Sequence, residues 1–107
     1  MQIGPIILPD FPLILAPMED VTDPPFRLLC KRFGADLMFS EFVSSDALVR
    51  NVKSTLKKMH IDPAERPYGI QLYGKEIGPM VESARIAGDF KPDLIDLNFG
   101  CPVKKVA

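Results

Sequence analysis

Tryptophan is absent from this 107-residue chain, histidine occurs once and cysteine only twice. Cys30 and Cys101 are too far apart to form a zinc-ligand spacing, and two thiols make no disulfide framework. The sequence therefore points to no metal site and to a reducing, cytoplasmic setting. No apolar run reaches the ~18 residues of a membrane span. The apolar start, residues 1–15, has no cationic lead and contains three prolines, which does not make a signal peptide. An excess of charge of one sign is also missing: 13 basic and 14 acidic side chains give a net charge of −1. That balance carries no overall footprint for nucleic acid. A basic patch can still lie on a near-neutral chain, and Lys53, Lys57, Lys58, Lys104 and Lys105 are the local cationic groups. The alternative for each cluster is a solvated face.

What is present is globular: 47% hydrophobic residues, with 11 prolines scattered between apolar runs. The prolines punctuate many short elements. Residues 1–11 form an irregular lead-in or short hairpin, with Gly4-Pro5 and Pro9-Asp10 as turn signals. Residues 13–16 are a continuous apolar run, as in a strand buried on both faces. A loop follows, and Thr22 or Asp23 caps a helix with Pro24 and Pro25 in its first turn. Phe26, Leu29, Cys30 and Phe33 mark the expected core stripe of that helix, and Gly34 closes it.

Residues 37–42 read as the second strand, with Glu41 either in a polar pocket or just past the strand's end. A short helix over 44–52 follows, capped by Ser44 or Ser45, and then a loop or irregular helix over 53–65. Residues 67–73 are the third strand, alternating Ile70 and Leu72 with Gly69, Gln71 and Tyr73. Ile77, Met80, Val81, Ala84 and Ala87 mark an amphipathic helix with Glu76 in its first turn. Residues 94–98 are the fourth strand. It breaks at Gly100 and presents Cys101 on a turn stiffened by Pro102.

Strands joined by helices run parallel, with right-handed crossovers. The expected class is α/β: the N-terminal half of a (β/α)8 TIM barrel, with about four parallel strands. A whole barrel of this kind needs ~250 residues. Residues 1–107 are therefore expected to be the N-terminal portion of a larger catalytic domain. Half a barrel leaves two open sheet edges, which the remainder of the barrel or self-association would cover.

Polar features fall at the C-terminal ends of three strands: Pro17-Met18 after the first, Gln71 on the third, Asn98 and Cys101 after the fourth. In a closed barrel these ends meet at one mouth, where chemistry sits. Gln71 offers a donor and an acceptor on one planar amide, which suits a flat heterocycle. The plainer reading of Gln71, as of Asn98, is an inward side chain satisfied by neighbouring backbone. An unperturbed thiol titrates near ~8.5 and is mostly protonated at pH 7. Cys101 thus suits a general acid better than an activated nucleophile. His60, the single histidine, reads as a loop residue.

Three segments carry a resemblance: Ala16-Pro17-Met18-Glu19-Asp20-Val21-Thr22-Asp23-Pro24-Pro25-Phe26-Arg27, Gln71-Leu72-Tyr73-Gly74, and Asp96-Leu97-Asn98-Phe99-Gly100-Cys101-Pro102-Val103-Lys104-Lys105-Val106. In this order and spacing they resemble the tRNA-dihydrouridine synthases. The Lys104-Lys105-Val106 ending and Ser40-Glu41 are most similar to the bacterial B-type (DusB-like) branch. Glu19 departs from the small residue often found there, which alters a side-chain contact but need not alter a backbone one.

The resemblance implies an FMN-binding barrel that reduces the C5–C6 bond of uridine in tRNA, with NADPH restoring the flavin. It implies that Pro17, Met18 and Glu19 line the flavin, that Gln71 hydrogen-bonds its ring, and that Asn98 sits between flavin and base. Cys101 would protonate C5. It also implies that the flavin-phosphate site and a C-terminal helical tRNA-binding domain lie outside these 107 residues, so that this chain alone is inactive. Two rivals remain: another FMN barrel acting on free pyrimidines, such as a dihydroorotate or dihydropyrimidine dehydrogenase, and a non-catalytic half-barrel assembly module.

Overall fold

The computed structural model describes residues 1–100. The lead-in is a hairpin: β1 (Gln2–Ile3) pairs antiparallel with β2 (Ile6–Ile7). The main sheet is parallel. Strand β3 (Ile14–Leu15) pairs with β4 (Leu37–Phe39), β4 with β6 (Tyr68–Tyr73), and β6 with β7 (Leu94–Leu97). The spatial order follows the chain order, as in successive strands of a (β/α)8 barrel. The expected α/β class and parallel pairing are both present.

A fifth strand was not foreseen. β5 (Val43–Ser44) also pairs parallel with β6, further along it. Phe39 pairs with Gly69 and Val43 with Leu72, so four steps on one side match three on the other. β4 and β5 are thus one strand interrupted by a bulge of one residue. Glu41 sits in that bulge, past the end of β4, which decides between the two positions expected for it.

Helix α1 (Pro24–Arg32) starts where expected, because the Asp23 side chain accepts from the Phe26 N–H. Its buried face is not the one expected. Leu29 and Phe33 are 50% and 82% exposed, Cys30 is half-buried, and Arg27 is only 2% exposed. The Arg27 guanidinium finds three partners, the Thr22 carbonyl, the Glu65 carboxylate and the Tyr68 ring, and that turns its face inward. Cys30 and Phe33 instead line a groove with Leu13, Ile14, Leu15 and Ala35 beside β3.

Helix α2 (Ser45–Val49) is capped by Ser44, and α3 (Lys53–Lys58) with a 3-10 turn (Pro63–Glu65) occupies the stretch expected to be irregular. Helix α4 (Ile77–Asp89) buries Ser83 and Ala87, whereas Ile77 and Val81 face outward. Glu76 stands at its N-cap without a side-chain capping bond rather than in its first turn. The core lies between sheet and helices: Val43, Leu48, Met59, Tyr68, Ile70, Leu72 and Ala87. Among the described residues no helix is long and apolar enough to cross a membrane.

Candidate active site

Alternation along β6 sends Tyr68, Ile70 and Leu72 into the core beneath the helices. Gly69, Gln71 and Tyr73 therefore project on the opposite face, the interior side of a barrel. Gly69 is required there by space. A Cβ at this position would stand 2.6 Å from the Phe39 ring and 2.8 Å from Leu94 Cδ1. Those two side chains close over Gly69 and form an apolar floor.

One layer towards the C-terminal end of the sheet, the floor turns polar. Gln71 is paired in register with Asp96, and Gln71 Nε2 donates to Asp96 Oδ2 at 2.7 Å. Asn98 continues the β7 ladder, its N–H donating to the Leu72 carbonyl at 2.8 Å. Its Nδ2 donates to Gln71 Oε1 at 3.3 Å, and its Oδ1 accepts from the Gly100 N–H at 2.9 Å. On the other side, the Gln71 N–H donates to Ser40 Oγ at 3.1 Å, within the bulge. The Gln71 amide is therefore held from both ends while keeping one N–H and one lone pair unused by these bonds. Asn98 ties it to the turn that leads into Cys101. Cys101 itself lies outside the described residues.

The Pro17-Met18-Glu19 loop, at the C-terminal end of β3, is organised from within. The Met18 N–H donates to Thr22 Oγ1 at 3.0 Å, and the Met18 carbonyl accepts from Thr22 N at 3.0 Å and from the Thr22 hydroxyl at 3.2 Å. Asp20 takes a positive φ of 63°, which aspartate tolerates better than most residues. The Pro17 carbonyl and the Glu19 N–H have no hydrogen-bond partner among the described residues. The Glu19 carboxylate is turned aside to Lys58 Nζ, 2.8 Å away. Carboxylate oxygens of Glu19, Asp20 and Glu41 lie within 4.8 Å of one another, and the Lys58 ammonium offsets part of that negative charge. Glu19, Asp20 and Lys58 border a cavity of about 520 Å³, which Phe42, Ser44 and Tyr73 also line. The Phe42 and Tyr73 rings meet edge to face at 4.8 Å.

Beneath the loop lies a buried charge pair. Arg27 Nη1 donates to the Thr22 carbonyl at 2.6 Å, and Nη2 stands 3.4 Å from Glu65 Oε1. The guanidinium also covers the Tyr68 ring, 5.1 Å from its centroid. Burial pushes the Glu65 carboxyl above its ordinary value, against the attraction of Arg27. Burial likewise pushes the Tyr68 phenol up to about 12.

Of the expected site residues, Gln71 and Asn98 are in direct contact. Pro17 and Met18 share their end of the sheet but make no hydrogen bond to either. Asp96 and Ser40 were not assigned a role from the sequence. The signal for Asp96 is present in the sequence, since Asp96 and Asn98 alternate with Ile95 and Leu97 and so fall on one face. His60 is exposed and packs edge to face against Phe90 at 5.7 Å, as a loop residue does.

Comparison with known proteins bears on this arrangement. Residues 14–107 match the family model of dihydrouridine synthase (Dus). The chain is 45% identical over 106 residues to the tRNA-dihydrouridine synthase B of Xanthomonas campestris, covering 99% of this chain and 32% of that protein. It is 44% identical over 107 residues to the tRNA-dihydrouridine synthase B of Pseudomonas aeruginosa, covering 99% and 32%. A probable tRNA-dihydrouridine synthase of Rhodobacter capsulatus is 44% identical over 98 residues, covering 91% and 30%. The chain thus spans about a third of the length of these relatives. With the family model matched from the first strand of the parallel sheet onward, the chain belongs to the dihydrouridine synthase family.

Proposed function

We propose that this chain is the N-terminal portion of an enzyme that reduces the C5–C6 bond of uridine in tRNA, with FMN held at the C-terminal end of the sheet and NADPH as reductant. The observation that carries the reading is the Gln71–Asp96–Asn98 chain of side-chain hydrogen bonds at that end, leading into the turn before Cys101. The residues present fit a flat heterocycle. Gln71 presents an oriented amide edge, and the Pro17 carbonyl and Glu19 N–H are open backbone groups on the facing loop. Met18, 40% exposed, offers an apolar surface beside them.

FMN bound there would supply a hydride equivalent to C6 of the base. The chain's own residues do the rest. Asn98, oriented by Gln71 and by the Gly100 N–H, hydrogen-bonds the base. Hydride addition leaves an electron pair that makes C5 basic. The Cys101 thiol gives its proton to C5, forming the C–H bond and leaving a thiolate that solvent reprotonates. The target base must leave its stack to enter such a mouth. The phosphate end of the flavin and most of the tRNA are held by parts of the enzyme beyond these residues, so the 107-residue chain alone holds FMN weakly and does not turn over. A tRNA substrate is in keeping with a cytoplasmic enzyme.

The test is to incubate the full-length protein with FMN, NADPH and tRNA lacking dihydrouridine, and to measure dihydrouridine by nucleoside mass spectrometry. Product on tRNA, lost in Cys101→Ala while flavin is retained, is expected. Reduction of free uracil or orotate with none on tRNA would replace this reading by that of a free-pyrimidine dehydrogenase.

A further inference from the structure

The loop that carries Pro17, Met18 and Glu19 and the strand that carries Gln71 do not hydrogen-bond one another, yet one buried side chain touches the supports of both. Arg27 donates to the Thr22 carbonyl, and the Thr22 hydroxyl locks both backbone groups of Met18. The same guanidinium lies over Tyr68, the first residue of β6, three residues before Gln71, and pairs with Glu65 in the 3-10 turn that leads into that strand. A second route closes the ring. The Tyr68 hydroxyl donates to the Lys58 carbonyl at 3.4 Å, and Lys58 Nζ holds Glu19 at 2.8 Å.

A stabilising role explains this arrangement poorly. Arg27 is 2% exposed and Glu65 fully buried, and Arg27 Nε and Glu65 Oε2 have no hydrogen-bond partner among the described residues. Desolvating two ions with incomplete pairing is costly, and well-packed apolar side chains at such sites are often as stable or more so. What an apolar pair cannot do is hold the Thr22 carbonyl and the Glu65 carboxylate in one planar fork.

We infer that Arg27 is a positioning residue, which fixes the Pro17–Glu19 loop relative to β6 so that the loop and Gln71 address the same ligand. The identity of that ligand as FMN rests on the proposed function; the fixing of the loop does not.

The test uses the full-length protein with the double variant Arg27→Met/Glu65→Gln, which removes the fork without leaving a buried unpaired charge. Arg27→Lys, which keeps the charge but cannot span both acceptors, serves as the second variant. Amide hydrogen exchange of the flavin-free protein is expected to accelerate about tenfold or more at Met18 and Thr22, with β6 and α4 unchanged. FMN affinity, read by flavin fluorescence, is expected to fall about tenfold, since a small misplacement of a binding group is costly. Unchanged exchange at Met18 and Thr22 in a folded variant would overturn the inference, whether or not the melting temperature moves. Faster exchange with FMN affinity unchanged would confine Arg27 to the loop's own structure and also overturn it. If the unsubstituted protein takes up no FMN, the functional reading fails by itself, and the exchange data still decide whether Arg27 fixes the loop.

Discussion

Gln71 and Asp96 stand opposite each other on adjacent parallel strands, and their side chains meet at 2.7 Å on the face turned away from the core. The bond orients an amide that would otherwise be free to rotate. Asp96→Ala leaves the Gln71 Nε2 without that acceptor, at a cost of about 1 kcal/mol, or roughly a fivefold rise in the dissociation constant of the full-length protein for the proposed FMN. Asp96→Asn keeps one acceptor oxygen, so its loss should be smaller. Fluorescence titration measures both. An alanine variant that binds FMN as tightly as the parent would remove Asp96 from the site.

Gly69 lies one layer below, where the Phe39 ring and Leu94 fill the space a Cβ needs. Gly69→Ala must push one of them aside. The expected loss is about 1–3 kcal/mol, the usual cost of overpacking, seen as a lower midpoint in denaturant titration. Phe39→Leu in the same background should recover part of it. If the single alanine is neutral, the floor is looser than these distances imply.

The legible parts of the chain were those in which local pattern and tertiary environment agree. Residues 68–73 alternate cleanly, and the strand is there. Asp23 precedes two prolines, and the helix begins there. Lys53–Lys58 carries only Leu56 as a large apolar residue, so its periodicity was too weak to show, although Thr55 and Met59 anchor the stretch in the interior. In α1 the pattern misled. An apolar stripe was expected inside, but a single arginine with three partners decided which face is buried. The bulge between Phe39 and Val43 is a mismatch of register with β6, and no single strand's sequence records register with another. For the same reason the meeting of Gln71 and Asn98 followed from strand order, whereas the bonds to Asp96 and Ser40 needed the register itself.

Tyr68 makes a prediction about pH. Its phenol is pushed up to about 12 by burial, from the value of 10.0 it has when exposed. As pH rises past 10.0 the unfolded chain gives up this proton first, while the native state keeps it until about 12. The native state then binds more protons, so stability falls with rising pH in that window and is unaffected by this group below it. Tyr68→Phe removes the group, and its hydroxyl's bond to the Lys58 carbonyl, without emptying the core. The variant's stability, measured by urea titration at a series of alkaline pH values, should decline less steeply than the parent's. Parallel declines would mean that the phenol ionises as readily in the fold as out of it.

The open flanks of the sheet carry the last prediction. Among the described residues β3 pairs only with β4, and β7 only with β6. Both flanks are apolar: Ile14 and Leu97 are each 45% exposed, and Phe33 is 82% exposed. Unpaired strand edges beside apolar surface are templates for association. The 107-residue chain on its own should therefore scatter light as a species heavier than its 11.9 kDa monomer. A lysine at Ile14 places a charge on one edge and should shift the distribution towards the monomer. Fusing the chain to the remaining length of its relatives should do the same by covering both edges. A monomer that persists as the concentration of the unmodified chain is raised would show that these flanks are protected in a way that strand pairing and exposure do not reveal.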